Sequence, residues 1–272
     1  MLEIDIFFII SLLLFFTGFI SGILAGFFGI GGGIIIVPVI YHLFNFLDFS
    51  ENISMHMAIG TSLATIILAS LNSVIEHKKR SCVDISLLDK WKYTILFGSL
   101  FGAVLAQLIE GKVLIILFAF FSFFVAIRMV FNKPYSNKTY NFLKSIQKII
   151  GFLIGTVSSL LGIGGGTLSV PLLLSCGRNI KKAVGTSSGI GFFISLPAAL
   201  IFLLAGLHIE DRPQYSIGFI SIIPFFLITL GTYVSVPMGV KIMHNFNNML
   251  IKRFFCLLLL ISALKMLRDL TV

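Results

Sequence analysis

Leu24-Ala-Gly-Phe-Phe-Gly29-Ile-Gly31-Gly32-Gly33 near the N-terminus returns as Val157-Ser-Ser-Leu-Leu-Gly162-Ile-Gly164-Gly165-Gly166, at a constant offset of 133 residues. Three consecutive glycines weaken a helix by about 1 kcal/mol each relative to alanine. Inside apolar sequence the released backbone groups also need partners from the protein or from water. The reading is therefore a helix broken twice, by the same device. The surroundings repeat too. Gly18-Phe-Ile-Ser-Gly22 matches Gly151-Phe-Leu-Ile-Gly155, and Val37-Pro38 matches Val170-Pro171. Ala58-Ile-Gly60-Thr61-Ser62 matches Ala183-Val-Gly185-Thr186-Ser187, Gly98 matches Gly231, and Ile127-Arg128-Met129 matches Leu264-Lys265-Met266. Landmarks in one order imply a duplication. It divides the chain into an N-terminal repeat at 1–131, a basic linker at 132–147 and a C-terminal repeat at 148–272.

The composition says what solvent surrounds these repeats. Of 272 residues, 57% are hydrophobic and 11% charged, and the mean hydropathy is +1.06. A soluble domain is about a quarter charged, so the bilayer must replace water around much of this chain. The fold class expected is an all-α integral membrane protein. The formal charge of +9 reads as cytoplasmic loops and not as a nucleic-acid surface, because the Lys and Arg sit in short inter-segment stretches without aromatic stacking platforms. Cys82, Cys176 and Cys256 are far apart and form no CxxC pair, which points to neither a metal nor a disulfide framework. The start, Met1-Leu-Glu-Ile-Asp5, is acidic and lacks a cleavage signature, so the first apolar run reads as a retained segment.

A membrane helix needs about 20 apolar residues. Long candidates are 6–28, 57–75, 93–109, 112–131, 184–206, 216–240 and 254–267; 148–162 precedes the second glycine cluster, and 34–47 and 167–176 follow the clusters as short arms. Treating each cluster as the tip of a hairpin gives each repeat one hairpin and three spans, and an odd number of crossings inverts the second repeat. The loops 76–92, 128–148, 177–183 and 241–253 then share a side that collects 16 of the 20 basic residues, against 3 of the 11 acidic ones. The positive-inside rule puts that side in the cytoplasm and both termini outside; a parallel repeat fits the charges worse.

The glycine breaks are the candidate site. A freed helix N-terminus carries about half a positive charge and binds anions, and transporters aim such ends at anionic groups. Gly31, Gly32 and Gly33 with Gly164, Gly165 and Gly166 are thus expected to line a pocket for a small anionic substrate. Thr61, Ser62, Thr186 and Ser187 either cap helices or donate to that anion. The stripes Gly18-x3-Gly22-x3-Gly26 and Gly98-x3-Gly102 read as packing faces, Asn72 and Gln107 as glue between helices, and Arg128 and Lys265 as snorkelling side chains. Pro38 and Pro171 read as structural. No GxGxxG, GxxxxGK[ST] or HExxH occurs and no close pair of carboxylates lies inside an apolar span, so nucleotide binding, an ATP motor and enzyme chemistry find no support, and no cofactor is expected. A membrane scaffold that uses the stripes only for packing, and a passive anion channel, remain as alternatives; a homo-oligomer stays open.

The doubled Gly-x-Gly-Gly-Gly turn, each followed by an apolar stretch with Pro and then Ala-x-Gly-Thr-Ser, resembles the sulfite exporter TauE/SafE family from about residue 18 to 267. The resemblance implies a permease without ATPase in the bacterial inner membrane, moving sulfite, sulfoacetate or related sulfur anions. It assigns the Gly29–Gly33 and Gly162–Gly166 turns to the substrate path, with Thr61, Ser62, Thr186 and Ser187. Ser188 stands where the first copy has Leu63, so the two copies need not contact substrate equally.

Overall fold

The computed structural model describes residues 2–130, 146–175, 178–245, 260–261 and 263–268. Residues 132–145 of the linker, Cys176, Cys256, the basic stretch 246–253 and most of the span expected at 254–267 lie outside the described residues; Gln147, at the linker's end, already opens a helix. The helices are α1 (Leu2–Phe28), α2 (Gly33–Phe46), α3 (Glu51–Lys79), α4 (Ile85–Gln107), α5 (Gly111–Val130), α6 (Gln147–Leu160), α7 (Gly166–Ser175), α8 (Ile180–Ala205) and α9 (Ile222–Asn245). Residues 263–268 are also helical. The protein is an all-α membrane protein. Four of its described helical segments, Phe7–Phe28, Glu51–Lys79, Ile180–His208 and Ile222–Met243, are long and apolar enough to cross a bilayer.

Several helices start earlier than their apolar runs suggest, because polar caps start them. Ser50 Oγ accepts from the Ile53 N–H ahead of α3, Asp84 from the Leu87 N–H ahead of α4, and Asn179 from the Lys181 N–H ahead of α8. Each cap satisfies one of the donors that a helix start leaves without an intrahelical partner. One expected boundary moves the other way. The apolar run from 216 does not begin as helix: Ser216–Ile217 pairs antiparallel with Ile220–Ser221 around Gly218, whose φ is 57°. The Phe219 N–H bonds to the Phe202 carbonyl. Six residues are spent on this turn before α9 begins. Pro38 and Pro171 lie inside α2 and α7.

Packing follows the small residues. A Cβ on Gly18, Gly22 or Gly26 of α1 would strike the backbone or side chains of α9, at Ile228, Thr232, Ser235 and Val236. Gly98 and Gly102 of α4 press in the same way on Phe152 and Thr156 of α6. Residue numbers rise together in both contacts, so both pairs run parallel. By contrast α3 and α8 run antiparallel: Ser73 bonds to Ser188 at one end, and the His56 ring lies beside Phe202 at the other. In α3, Asn72 donates from Nδ2 to the Tyr233 carbonyl and so ties α3 to α9. Gln107, expected to act likewise, donates, among the described residues, to Ala103 of its own helix. Apolar rings point outward, with Phe8 68%, Phe120 63% and Phe226 61% exposed. Serines and threonines such as Ser62, Thr65, Ser73, Ser187 and Thr232 are buried. That is the inside-out pattern a lipid solvent demands, since association of helices in lipid draws on small and polar contacts.

Loop partners define the two ends of the bundle. Arg178 forms a 2.9 Å ion pair with Asp84, so the 76–92 and 177–183 stretches meet at one end. At the other end the Gly111 N–H donates to Asn52 Oδ1 at 2.9 Å and joins the start of α3 to the corner between α4 and α5.

Candidate functional site

The backbone turns at the glycine clusters in conformations that side chains resist. Gly29 and Gly162, in matching places, have φ of 68° and 67°, and Gly31 and Gly32 follow at 75° and 84°. An L residue pays for such a φ in steric strain. Gly32 is the N-cap of α2, and no side chain caps that helix. Its first N–H groups are therefore left to whatever lies in front of them.

The other break packs beside this helix start. Gly164 packs on the Ile30 carbonyl and Gly31, Gly166 on the Gly29 carbonyl, and Gly33 on the Gly162 carbonyl, with Ser62 Oγ 3.0 Å from where a Gly33 Cβ would sit. A methyl group at Gly166 has no room at all, since it would overlap the Gly29 carbonyl and lie 2.6 Å from Ile30 Cα. The two turns thus meet back to back, and the starts of α2 and α7 converge there. All six expected glycines are buried; Gly31, Gly33, Gly164 and Gly166 pack on the opposite turn, whereas Gly32 faces Ser21 of α1 and Gly165 faces Ile190 and Ile194 of α8.

The four hydroxyl residues surround this junction, completely buried or nearly so. Each bonds across to the other repeat. Ser62 donates to the Gly162 carbonyl at 2.8 Å, and Ser187 to the Gly29 carbonyl at 3.2 Å. Thr61 Oγ1 accepts from the Ser221 N–H at 2.9 Å, and Thr186 Oγ1 from the Asp84 N–H at 2.9 Å. They stand inside α3 and α8, not at their starts. The capping expected of the threonines is therefore directed to other helices, at the residues immediately before α9 and α4. The Ser62 proton is committed to a carbonyl, and the Ser187 hydroxyl is shared between the Gly29 carbonyl and Ser169 Oγ. Among the described residues neither threonine proton has an acceptor.

A polar extension went unread. Ser187 Oγ is 2.7 Å from Ser169 Oγ, and Ser188, buried as well, is 2.8 Å from Ser73 Oγ. Ser73 also donates to the Ala25 carbonyl, and His77 Nε2 lies 3.0 Å from the Gly26 carbonyl. The signal was there: Ser62, Thr65, Ala69, Ser73 and His77 recur at helical spacing along one apolar span. At the first repeat's matching places the chain has Ile36 for Ser169 and Leu63 for Ser188, so the polar extension belongs to one side of the junction.

At the loop beside it, Asp84 accepts from Ser86 Oγ, which contributes most to holding its carboxyl below the ordinary carboxylate value. The Leu87 N–H and the positive charge of Arg178 act in the same direction, against partial burial. The residue whose N–H supports Thr186 is thus anchored as an anion to the 177–183 stretch.

The family model described as Sulfite exporter TauE/SafE matches residues 14–266. A Haemophilus influenzae protein named probable membrane transporter protein is 30% identical over 256 residues, which cover 94% of this chain and 97% of that protein. Proteins with the same descriptive name from Methanocaldococcus jannaschii and Bacillus subtilis (YunE) are each 28% identical. The first match covers 85% of both chains, the second 70% of this chain and 77% of its relative. No solved structure matches. The doubled glycine turn, the buried Thr-Ser pairs and this match over almost the whole length lead to one conclusion: the chain belongs to the TauE/SafE sulfite exporter family.

Proposed function

We propose that the protein is a membrane transporter of the TauE/SafE type, a permease that moves a small anion through the junction of the two glycine breaks. One observation carries the reading: the starts of α2 and α7 converge where the Gly31–Gly33 and Gly164–Gly166 turns pack on each other. Two helix N-termini concentrate positive potential without a fixed cation. An anion can be held there by N–H groups and by the Thr61 and Thr186 hydroxyl protons, and released without breaking a tight ion pair. The family's name makes sulfur oxyanions and organosulfonates, such as sulfite or sulfoacetate, the first substrates to examine.

The reciprocity of the contacts supports two inverted repeats and alternating access. Thr61 holds the residue before α9 as Thr186 holds the one before α4. Movement of one repeat against the other would then open the junction first to one face and then to the other. The charge bias orients the 76–92 and 177–183 end toward the cytoplasm of a bacterial plasma membrane, with the termini outside. The test is counterflow of radiolabelled sulfite, sulfate and organosulfonates in proteoliposomes. Saturable exchange that Gly32→Leu abolishes supports the reading. Flux linear in concentration indicates a channel, and no flux with any of these anions leaves the scaffold.

A further inference from the structure

His56 lies 4% exposed in α3, within a segment long and apolar enough to cross the membrane. Both of its ring nitrogens face carbonyl oxygens: Nδ1 lies 2.7 Å from the Asn52 oxygen and Nε2 3.0 Å from the Ala106 oxygen. A neutral imidazole has one N–H and one bare nitrogen. Whichever tautomer forms, one lone pair is turned on an oxygen; only the doubly protonated ring donates to both. Ala106 lies in the last turn of α4, the negative end of that helix's dipole. The Phe219 and Phe202 rings lie beside the imidazole, with centroids 5.2 and 6.3 Å away.

We propose that His56 is the binding site for a proton that moves with the anion, an inference that rests on the transport reading above. The bare nitrogen takes one proton from water at the Asn52–Gly111 end and later returns one to water; no other bond changes. The charged residues on the elements packed around it are Glu51 on α3, Glu110 and Lys112 at the α4–α5 corner, and His208, Glu210, Asp211 and Arg212 on the α8–α9 connection. The ring's own described partners are the two carbonyls and the two phenyl rings.

A short physical chain links this site to the junction. The His56 ring rests on Phe219, and two residues later the Ser221 N–H donates to Thr61. The next residue, Ser62, holds the Gly162 carbonyl of the second break. Proton and anion therefore bias the same contacts, and by linkage each raises the other's affinity. The second repeat offers no counterpart, because Lys181 occupies the matching place and is exposed.

The test uses the full-length protein in proteoliposomes with a trapped pH dye, and sulfate and methanesulfonate as anions that stay ionised near neutrality. Wild type is expected to carry protons with the anion, and an imposed pH gradient of about two units is expected to drive uptake tenfold or more. His56→Gln, which keeps one donor, is expected to retain anion exchange within about threefold and to lose both proton movement and the response to the gradient. His56→Asn, which imitates the other donor, gives the same readout if the first variant does not fold. Anion exchange by wild type without proton movement overturns the role of His56 alone, as does undiminished proton movement in the variants. No exchange of any anion by wild type overturns the transport reading, and the inference with it.

Discussion

Ser62 donates to the carbonyl oxygen of Gly162, and at the matching place of the second motif Ser187 donates to that of Gly29, so each motif's serine holds the other repeat's turn. The bonds are not equal. Ser62 makes its bond alone at 2.8 Å, whereas Ser187 is shared between Gly29 at 3.2 Å and Ser169 at 2.7 Å. Buried hydroxyl bonds in membrane proteins contribute about 0.6 kcal/mol on average and up to about 1.7. Ser62→Ala and Ser187→Ala are each expected to lower thermal stability in detergent by an amount of that order. Their double mutant should add, because the bonds hold different turns. A coupling energy above about 0.5 kcal/mol would show instead that the two turns yield together.

Gly166→Ala is expected to abolish exchange or folding, since the new methyl group meets the Gly29 carbonyl. Gly191→Ala, whose methyl group would sit 3.4 Å from Ser70 Cβ at ordinary contact, is expected to leave both near wild type. Expression, size-exclusion profile and counterflow, measured side by side, decide this. Equal tolerance at both positions would contradict the tight junction.

The Asp84 carboxyl gives a pH signature outside the membrane. Its folded-state value is depressed, by Ser86 first and then by the Leu87 N–H and Arg178. Its contribution to stability is therefore fully present above the ordinary carboxylate value of about 3.9, and is lost as pH falls through the lower folded value. Asp84→Asn is expected to lower the unfolding midpoint at neutral pH and to flatten its decline in acid. A parallel acid decline in the mutant would mean that other carboxylates dominate.

Orientation is open to labelling. With Cys82, Cys176 and Cys256 replaced by serine, Asp211→Cys is expected to react with an impermeant thiol reagent added outside intact cells. Lys79→Cys is expected to react only after the membrane is opened. The reverse pattern would turn the protein over. Cys82 is itself buried, so it should label slowly in the wild type.

Much of this was written in local pattern. The glycine runs showed where helices break, because no side chain substitutes for three consecutive glycines in lipid. The repeated Thr-Ser pairs marked the junction, because hydroxyls in an apolar span need partners. What escaped was where those partners lie. Nothing near Thr61 in sequence names Ser221, and nothing near Ser62 names Gly162. The polar starts of α3, α4 and α8 escaped a search for apolar runs, and the turn at 216–221 was hidden by being apolar. His56 escaped because its two carbonyl partners are backbone atoms, one of them on another helix.

The parallel pairing of α1 with α9, and of α6 with α4, has a consequence for biosynthesis. The ribosome completes α1 long before α9 exists, and the surface of Gly18, Gly22 and Gly26 waits in the bilayer without its mate. Among the described residues both pairings join the N-terminal half of the chain to the C-terminal half, so a chain truncated before α9 leaves α1 without its mate. Until translation ends, the young protein needs temporary company for that bare face, whether lipid, the insertion machinery or a chaperone.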